Sequence, residues 1–532
     1  MLNSVDLSGR PFHFIGIGGI GMSALAYVIA KRNLPVSGSD IRSSHITQRL
    51  KAIGAHIFSK QDASNLEWFW PHTDSAASAL PPAVVSASGP PVLVVEPSQT
   101  VEKLITNKQR ATLPQVICST AINPANLEYR AALDLGCPVF HRSDLLAALI
   151  QDYYSIAVAG THGKTTTSSL IGYLLLQAEL DPTIVVGGEV NAWEGNARLG
   201  QGDYLVAEAD ESDGSLVKLS GQIGVVTNIE LDHTDHYKTL DQVIATFQLF
   251  AKRCKTLVGC IDSATVRDHL QPTVSYSLQP NSGADYTVTC VTYRSNGTTA
   301  RVWERGQDLG VLDLHLLGQH NLSNALAAVA VGRLLGLEFS VIAKCIATFE
   351  GARRRFELRG VANGIQFIDD YAHHPSEIRA TLGAARLQAR PEARVVATFQ
   401  PHRYSRTLAF LPEFAQSFSD ADQVIVTEIY SAGEPNLGQI SGQELAEMIA
   451  TYHPQVKYQP TLASVSQFLT QTLRPGDLAL FLGAGNLNQV IPDVIAAIRR
   501  TYKGGGEGEQ GSSRSRGAGE QGEQVCALGD GE

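Results

Sequence analysis

Ala159-Gly160-Thr161-His162-Gly163-Lys164-Thr165-Thr166-Thr167 is the stretch on which the reading of the chain turns. It follows an apolar run, Ile156 to Ala159, that predicts a buried strand, and precedes Ser168 to Leu176, which predicts a helix. Strand, glycine turn and helix N-terminus make an anion cradle, because unpaired backbone N–H groups and the positive helix end face one point. In such a loop Lys164 reaches the outer phosphates of a nucleoside triphosphate and the Thr165 hydroxyl holds Mg²⁺. Gly160, Thr161, His162, Gly163 and Thr166 complete the cradle. The loop is shorter than the full P-loop pattern: Val158 stands where that pattern has its first glycine, and Gly160 takes its place. The alternative is a chance Gly-Lys-Thr in a turn; the flanking strand and helix favour nucleotide binding.

Upstream, Phe12 to Ile15 predicts a strand, Gly16-Ile17-Gly18-Gly19-Ile20-Gly21 a tight loop, and Met22 to Ala30 a helix; a second strand, Leu34 to Gly38, leads to Asp40. This is the opening of a Rossmann-like βαβ unit, with an acid about 20 residues after the glycines. Gly18, Gly19, Gly21 and Asp40 become candidate contacts for a phosphate-bearing ligand. Seven prolines fall in residues 69–114, which read as an insertion. Downstream, strands such as Tyr204 to Ala207 and Gly224 to Thr227 alternate with helices, residues 285–316 alternate at period two as β-hairpins, and another βα series runs from Gly364 to Arg500. The fold class is α/β, in three domains at 1–150, 151–350 and 351–502. A Gly/Glu/Gln/Ser-rich tail at 503–532 is expected to be disordered.

Composition agrees with a soluble enzyme. The 532 residues are 44% hydrophobic, and a net charge of −10 supplies no basic field for nucleic acid. Seven scattered cysteines form no Cys-x-x-Cys pair, which suggests free thiols in a reducing cytoplasm. No stretch reads as a signal peptide or membrane span. Monomer and homodimer both remain open.

Polar motifs recur where strands end, the place at which open α/β sheets bind ligands. Strand 204–207 delivers Glu208-Ala209-Asp210-Glu211-Ser212-Asp213, where a second Mg²⁺-facing group belongs; which acid serves is open, and a solvated acidic loop is the alternative. Asn228 to Tyr237 crowds carboxylates and imidazoles that suit Mg²⁺ or Mn²⁺, or that cap backbone. In Gly318-Gln319-His320-Asn321-Leu322-Ser323-Asn324, Asn321 or Asn324 either caps a helix or pairs with an adenine edge. Arg353-Arg354-Arg355 is basic within an acidic chain and suggests phosphate contact. Asp369 to Pro375 and Phe399 to Thr407 bring His and Arg together, as recognition of a carboxylate or phosphate requires.

Together, GIGGIGMSALA from Gly16, AGTHGKTTT from Ala159, EADESD from Glu208, NIELDHTDHY from Asn228, GQHNLSNALAA from Gly318, RRRFE from Arg353, DDYAHHPSEI from Asp369, FQPHRYSRT from Phe399 and FLGAGN from Phe481 resemble the Mur ligases of bacterial cell-wall synthesis. The resemblance runs from about Phe12 to Ile498. It implies a UDP-sugar domain, an ATP domain and a mobile Rossmann-like C-terminal domain. It also implies an ATP-dependent amide ligase working through an acyl phosphate. Within the family, the first glycine loop and Tyr371 favour L-alanine and UDP-N-acetylmuramate as small-molecule substrates over a recycled murein tripeptide. Lys164, Glu208, His233 and His373 are then catalytic, with Thr165, Glu208 and His233 at the metal. Asn324, His320 and Arg355 join the ATP site. Tyr371, His402, Arg403 and Arg406 bind the amino acid and the sugar-nucleotide carboxylate. His141-Arg142-Ser143-Asp144 departs from the family's usual Arg-Ala-Glu.

Overall fold

The computed structural model describes residues 4–69 and 113–504 and arranges them around three sheets. The expected insertion lies almost wholly outside the described residues. So does the expected tail, although the last helix, Val490–Gly504, reaches its first two positions.

The first sheet holds β1 (Phe12–Ile15), β2 (Val36–Ser39), β3 (His56–Phe58), β4 (Gln115–Cys118) and β5 (Val139–His141) in the order β3-β2-β1-β4-β5, all parallel. The helix Ile20–Lys31 leaves the glycine loop directly. β2 begins two residues later than Leu34 because the Leu34 amide closes that helix on Ile29 O, and Pro35 has no N–H for a ladder.

The central sheet contains β6 (Tyr154–Ala159), β7 (Thr183–Val190), β8 (Gly195–Arg198), β9 (Tyr204–Glu208), β10 (Ile223–Val226), β11 (Thr256–Cys260), β12 (Val274–Tyr276), β13 (Tyr286–Arg294), β14 (Gly297–Glu304) and β15 (Gln307–Leu314). Its order is β15-β14-β13-β12-β11-β10-β6-β9-β7-β8, parallel from β13 to β7. The period-two segment forms antiparallel hairpins, β13 to β15, and these prolong the parallel sheet through β12. Central strand β6 is buried beyond Tyr154, as its unbroken apolar run demands. The helices Lys164–Gln177 and Gln319–Leu334 are buried over most of their circumference and pack on each other.

The third sheet holds β16 (Glu357–Ala362), β17 (Ile365–Asp370), β18 (Val395–Phe399), β19 (Gln423–Val426), β20 (Val456–Tyr458) and β21 (Leu478–Leu482) in the order β16-β17-β21-β18-β19-β20, with only β16 antiparallel. The first two domains share one apolar core, which runs from Phe14 and Leu25 through Leu145 and Leu149 to Leu216 and Phe247. The third domain has its own cores, on one of which Leu231 of the central domain packs. No helix among the described residues is long and apolar enough to cross a membrane.

Candidate active site

The loops after β6, β9, β10, β17 and β18 converge where the central and C-terminal domains meet. A cavity of about 240 Å³ opens there, lined among others by His162, Thr166, His320, Asn324, Arg355 and Asp370.

The glycines of the P-loop are fixed by close approach. Gly160 has φ +140°, and a Cβ there would stand 1.9 Å from Thr227 Oγ1; Gly163 has φ +80°, and its Cβ would meet Asn324 Oδ1 at 2.7 Å. The helix Lys164–Gln177 starts on Gly163 with no side-chain cap, so its first amides face the crevice. Lys164 Nζ donates to Gly160 O (2.7 Å), Thr161 O (3.1 Å) and Glu211 Oε1 (3.0 Å). Burial opposes its charge, but Glu211, Asp210 and Glu208 hold the ammonium protonated well above its ordinary range.

The acids divide in two. Thr165 Oγ1 donates to Glu208 Oε1 (3.2 Å), while Glu208 Oε2 accepts from the Gly187 amide. Asp210, Glu211 and His233 form a second group whose potential ligand atoms all lie within 4.8 Å of one another. Burial, with the charge of Asp210 beside it, pushes the Glu211 carboxyl up to about 7 against the pull of Lys164. His233 sits at φ +50°, a strained conformation for a side-chain-bearing residue. The metal set expected from the resemblance thus spans two adjoining groups, and Glu211 contacts both Lys164 and His233.

His162 reaches across to the C-terminal domain. Its Nδ1 lies 3.1 Å from Glu377 Oε1 and its Nε2 lies 3.4 Å from Glu230 Oε2. Burial works against protonation, yet Glu230 and Glu377 raise this imidazole to about 10. Glu377 is also the residue that closes the capping box of helix Pro375–Gln388 on His374. His320 is half-buried, and desolvation lowers it to about 4 against the opposing charge of Glu377. Asn321 and Asn324 are buried beside it: Asn321 Nδ2 donates to Leu317 O, and neither caps the helix, whose cap residue is Gly318.

The structure separates the three expected arginines. Arg353 pairs with Glu189, and Arg354 binds Gly483 O and lies 3.5 Å from Asp369. Only Arg355 reaches the P-loop, at 3.4 Å from Thr165 Oγ1, so the reading of all three as phosphate contacts narrows to Arg355. Arg354 and Arg355 both lie over the Tyr371 ring, whose edge meets His373. His373 Nδ1 is 2.9 Å from Tyr371 O and therefore carries the proton, leaving Nε2 as an acceptor. Burial, reinforced by Arg406, lowers this imidazole to about 4 despite Glu377. His402 lies 5.7 Å away, ring to ring, and accepts from Arg406 Nη1 through Nδ1.

Arg406 and Asp232 are each 4% exposed and pair at 2.8 Å through Nε. The Arg406 fork is therefore largely committed to protein. Arg403 is more open; it adopts φ +70° and pairs with Asp235 at 2.5 Å.

In the first domain, Asp40 Oδ2 accepts from the Gly18 amide at 2.9 Å, so the acid after the glycines braces the loop itself. A Cβ on Gly21 would stand 3.3 Å from Arg142 Nη1, and Arg142 in turn pairs with Asp210 (2.9 Å) and Asp213 (3.3 Å). Arg142 thereby joins the glycine loop to the acid loop. Glu230, Asp232 and Asp235 lie in the carboxylate-rich stretch Asn228 to Tyr237 that the sequence singles out, but their pairing with the C-terminal domain was not legible there, and Arg142 stood out only as a departure from the family's pattern. Sequence reading missed Glu377 as a site member; its local signal was a helix cap, His-Pro-Ser-Glu.

Three family models match the chain in succession: Mur ligase family, catalytic domain, at residues 11–154; Mur ligase middle domain at 158–332; and Mur ligase, glutamate ligase domain, at 354–485. The UDP-N-acetylmuramate–L-alanine ligase of Nostoc punctiforme is 71% identical over 498 residues, covering 94% of this chain and 98% of that protein. Among solved structures, the UDP-N-acetylmuramate-alanine ligase of Thermotoga maritima matches with TM-score 0.71 at 25% identity, over 94% of this chain and all of that one. A murein peptide ligase from Psychrobacter arcticus matches with TM-score 0.64 at 21% identity, over 92% and 99%.

Proposed function

The chain belongs to the Mur ligase family, and from that premise we propose that it joins L-alanine to UDP-N-acetylmuramate at the expense of ATP, in peptidoglycan precursor synthesis. The observation that carries the substrate assignment is 71% identity along nearly the whole length of a ligase named for these two substrates.

The chemistry follows from the placement of charge. The γ-phosphoryl group of ATP passes to a carboxylate oxygen of the lactyl group, giving an acyl phosphate and ADP. The alanine amine attacks the acyl carbon, and the tetrahedral intermediate collapses to the amide and releases phosphate. Lys164 and Arg355 face the transferring phosphoryl, where preorganised cations stabilise developing charge. The donors Thr165, Glu208, Asp210, Glu211 and His233 fit an oxygen-preferring divalent ion such as Mg²⁺ or Mn²⁺. Bound there, the ion supplies further neutralisation of phosphoryl charge. Arg403 takes the alanine carboxylate, which turns the amine toward the acyl carbon. His373 Nε2, which the Nδ1 contact with Tyr371 O leaves as an acceptor, takes the amine proton. Asn324 and His320 line the cavity for the adenosine end, and the Gly18–Gly21 loop holds the diphosphate of the sugar nucleotide.

Phosphate release from ATP tests the assignment. It should require UDP-N-acetylmuramate and L-alanine together. Equal or greater release with murein tripeptide, or release without any acceptor, would each refute it.

A further inference from the structure

We infer that Asp235 is an internal competitor for the amino-acid carboxylate: it occupies the Arg403 guanidinium that the substrate must use, and so sets the affinity for L-alanine and for the product. The inference rests on the reading of Arg403 as the carboxylate contact.

The geometry is specific. Asp235 belongs to the central domain, on the loop after β10, and Arg403 opens the loop after β18 in the C-terminal domain. Asp235 Oδ2 and Arg403 Nη1 meet at 2.5 Å across the domain junction. The group on Asp235 is chemically the one alanine offers, a carboxylate, and a guanidinium grips either in the same way. Nearby Arg406 is not exchangeable in this sense. Its Nε is locked on Asp232, its Nη1 faces His402, and the pair is buried. The Asp235–Arg403 pair, at 43% and 30% exposure, lies within reach of water and incoming ligand. The backbone of Arg403 is held in position without Asp235. Its amide donates to Tyr430 O, its carbonyl accepts from the Thr407 amide and hydroxyl, and its backbone is fixed at φ +70°. Glu434, 4.0 Å from the guanidinium, is committed to the Ser405 amide and hydroxyl. Asp235 therefore occupies the Arg403 guanidinium without being needed to fix the backbone that carries it.

The amide product keeps the alanine carboxylate free, so the same competition acts on it. Asp235 weakens substrate capture and helps to expel product in equal measure.

The sign of one effect decides the matter. Asp235→Asn should lower the KM for L-alanine roughly two- to fivefold, the range expected when an exposed ion pair no longer has to be broken. The inhibition constant of added product should fall by a similar factor, while the KM values for ATP and UDP-N-acetylmuramate stay put. Asp235→Glu, which restores a carboxylate, should bring both constants back toward the parent values. An alanine KM that rises in Asp235→Asn would show a positioning role, and an unchanged value would show no competition; either overturns the inference. Arg403→Lys separates this failure from that of the underlying reading. If it leaves the alanine KM unchanged, Arg403 is not the carboxylate contact at all.

Discussion

His162 lies within the P-loop, yet its charge answers to the neighbouring domain as well as to its own. Glu230 and Glu377 hold it protonated to about pH 10, far above its ordinary 6.5. A raised histidine contributes stability in full below about pH 6.5 and loses it as pH climbs toward 10. Glu230, its partner, is held down at about 2 by the contacts with His162 and Ser376 that outweigh its burial. Its share is complete above its ordinary 4.5 and is lost as pH falls through 2. The two together are at full strength between about pH 4.5 and 6.5. His162→Asn should therefore lower the thermal midpoint most in that interval, with the gap to the parent protein narrowing as pH is raised to 10. A gap that widens toward alkaline pH would contradict the pairing. Lys164 is the complementary case, since its charge is retained by acids of its own domain. Lys164→Met should reduce turnover by about 10²–10³-fold, the usual effect of removing one donor aimed at developing charge. UDP-sugar binding, measured by calorimetry, should persist because the glycine loop of the first domain is untouched.

At the scale of elements, the P-loop helix depends on two glycines for different reasons. At Gly160 the obstacle is Thr227, a residue of the next strand's end; at Gly163 it is Asn324, on the helix that lines the adenosine cavity. Gly163→Ala should cost about 1–2 kcal/mol from its left-handed backbone alone. It should also raise the KM for ATP several-fold by displacing Asn324, with the alanine KM unaffected; loss of stability with an unaltered ATP value would place Asn324 outside the nucleotide site. This loop was legible from sequence because strand, turn and helix are contiguous. The same holds for the βαβ opening and for most strand positions, where long apolar runs leave one reading. Ion pairs between Asp232 and Arg406, or Asp235 and Arg403, join residues more than 160 positions apart, and no periodicity records them. The run Arg353-Arg354-Arg355 misled for a related reason. Three adjacent side chains leave an irregular backbone in different directions, with positive φ at Arg354, and only one of them meets the P-loop.

For the whole molecule, the contrast between its two domain junctions sets the expected motion. The first and central domains share an apolar core, which resists separation. The central and C-terminal domains meet chiefly through charge: Arg406 on Asp232, Arg403 on Asp235, His162 on Glu377, Arg353 on Glu189. A polar junction of this kind permits domain motion. Glu189 also bonds His45 of the first domain, so one carboxylate touches all three. Of these pairs Asp232–Arg406 is the one most deprived of water. Burial alone would raise the Asp232 carboxyl, yet Arg406 holds it far below its usual range. Arg406→Met leaves that charge buried and unpaired in the closed form, a penalty of about 3–5 kcal/mol. Opening the junction relieves it by returning Asp232 to water, without unfolding either domain. A penalty of that size converts a closed population of roughly 99:1 into an even mixture or an open majority. Small-angle scattering should then show a larger radius of gyration for Arg406→Met than for the parent protein, narrowing when ATP and the sugar nucleotide are added. If the variant instead keeps the parent radius and only melts earlier, the pair is part of a rigid core and the C-terminal domain does not swing at this junction.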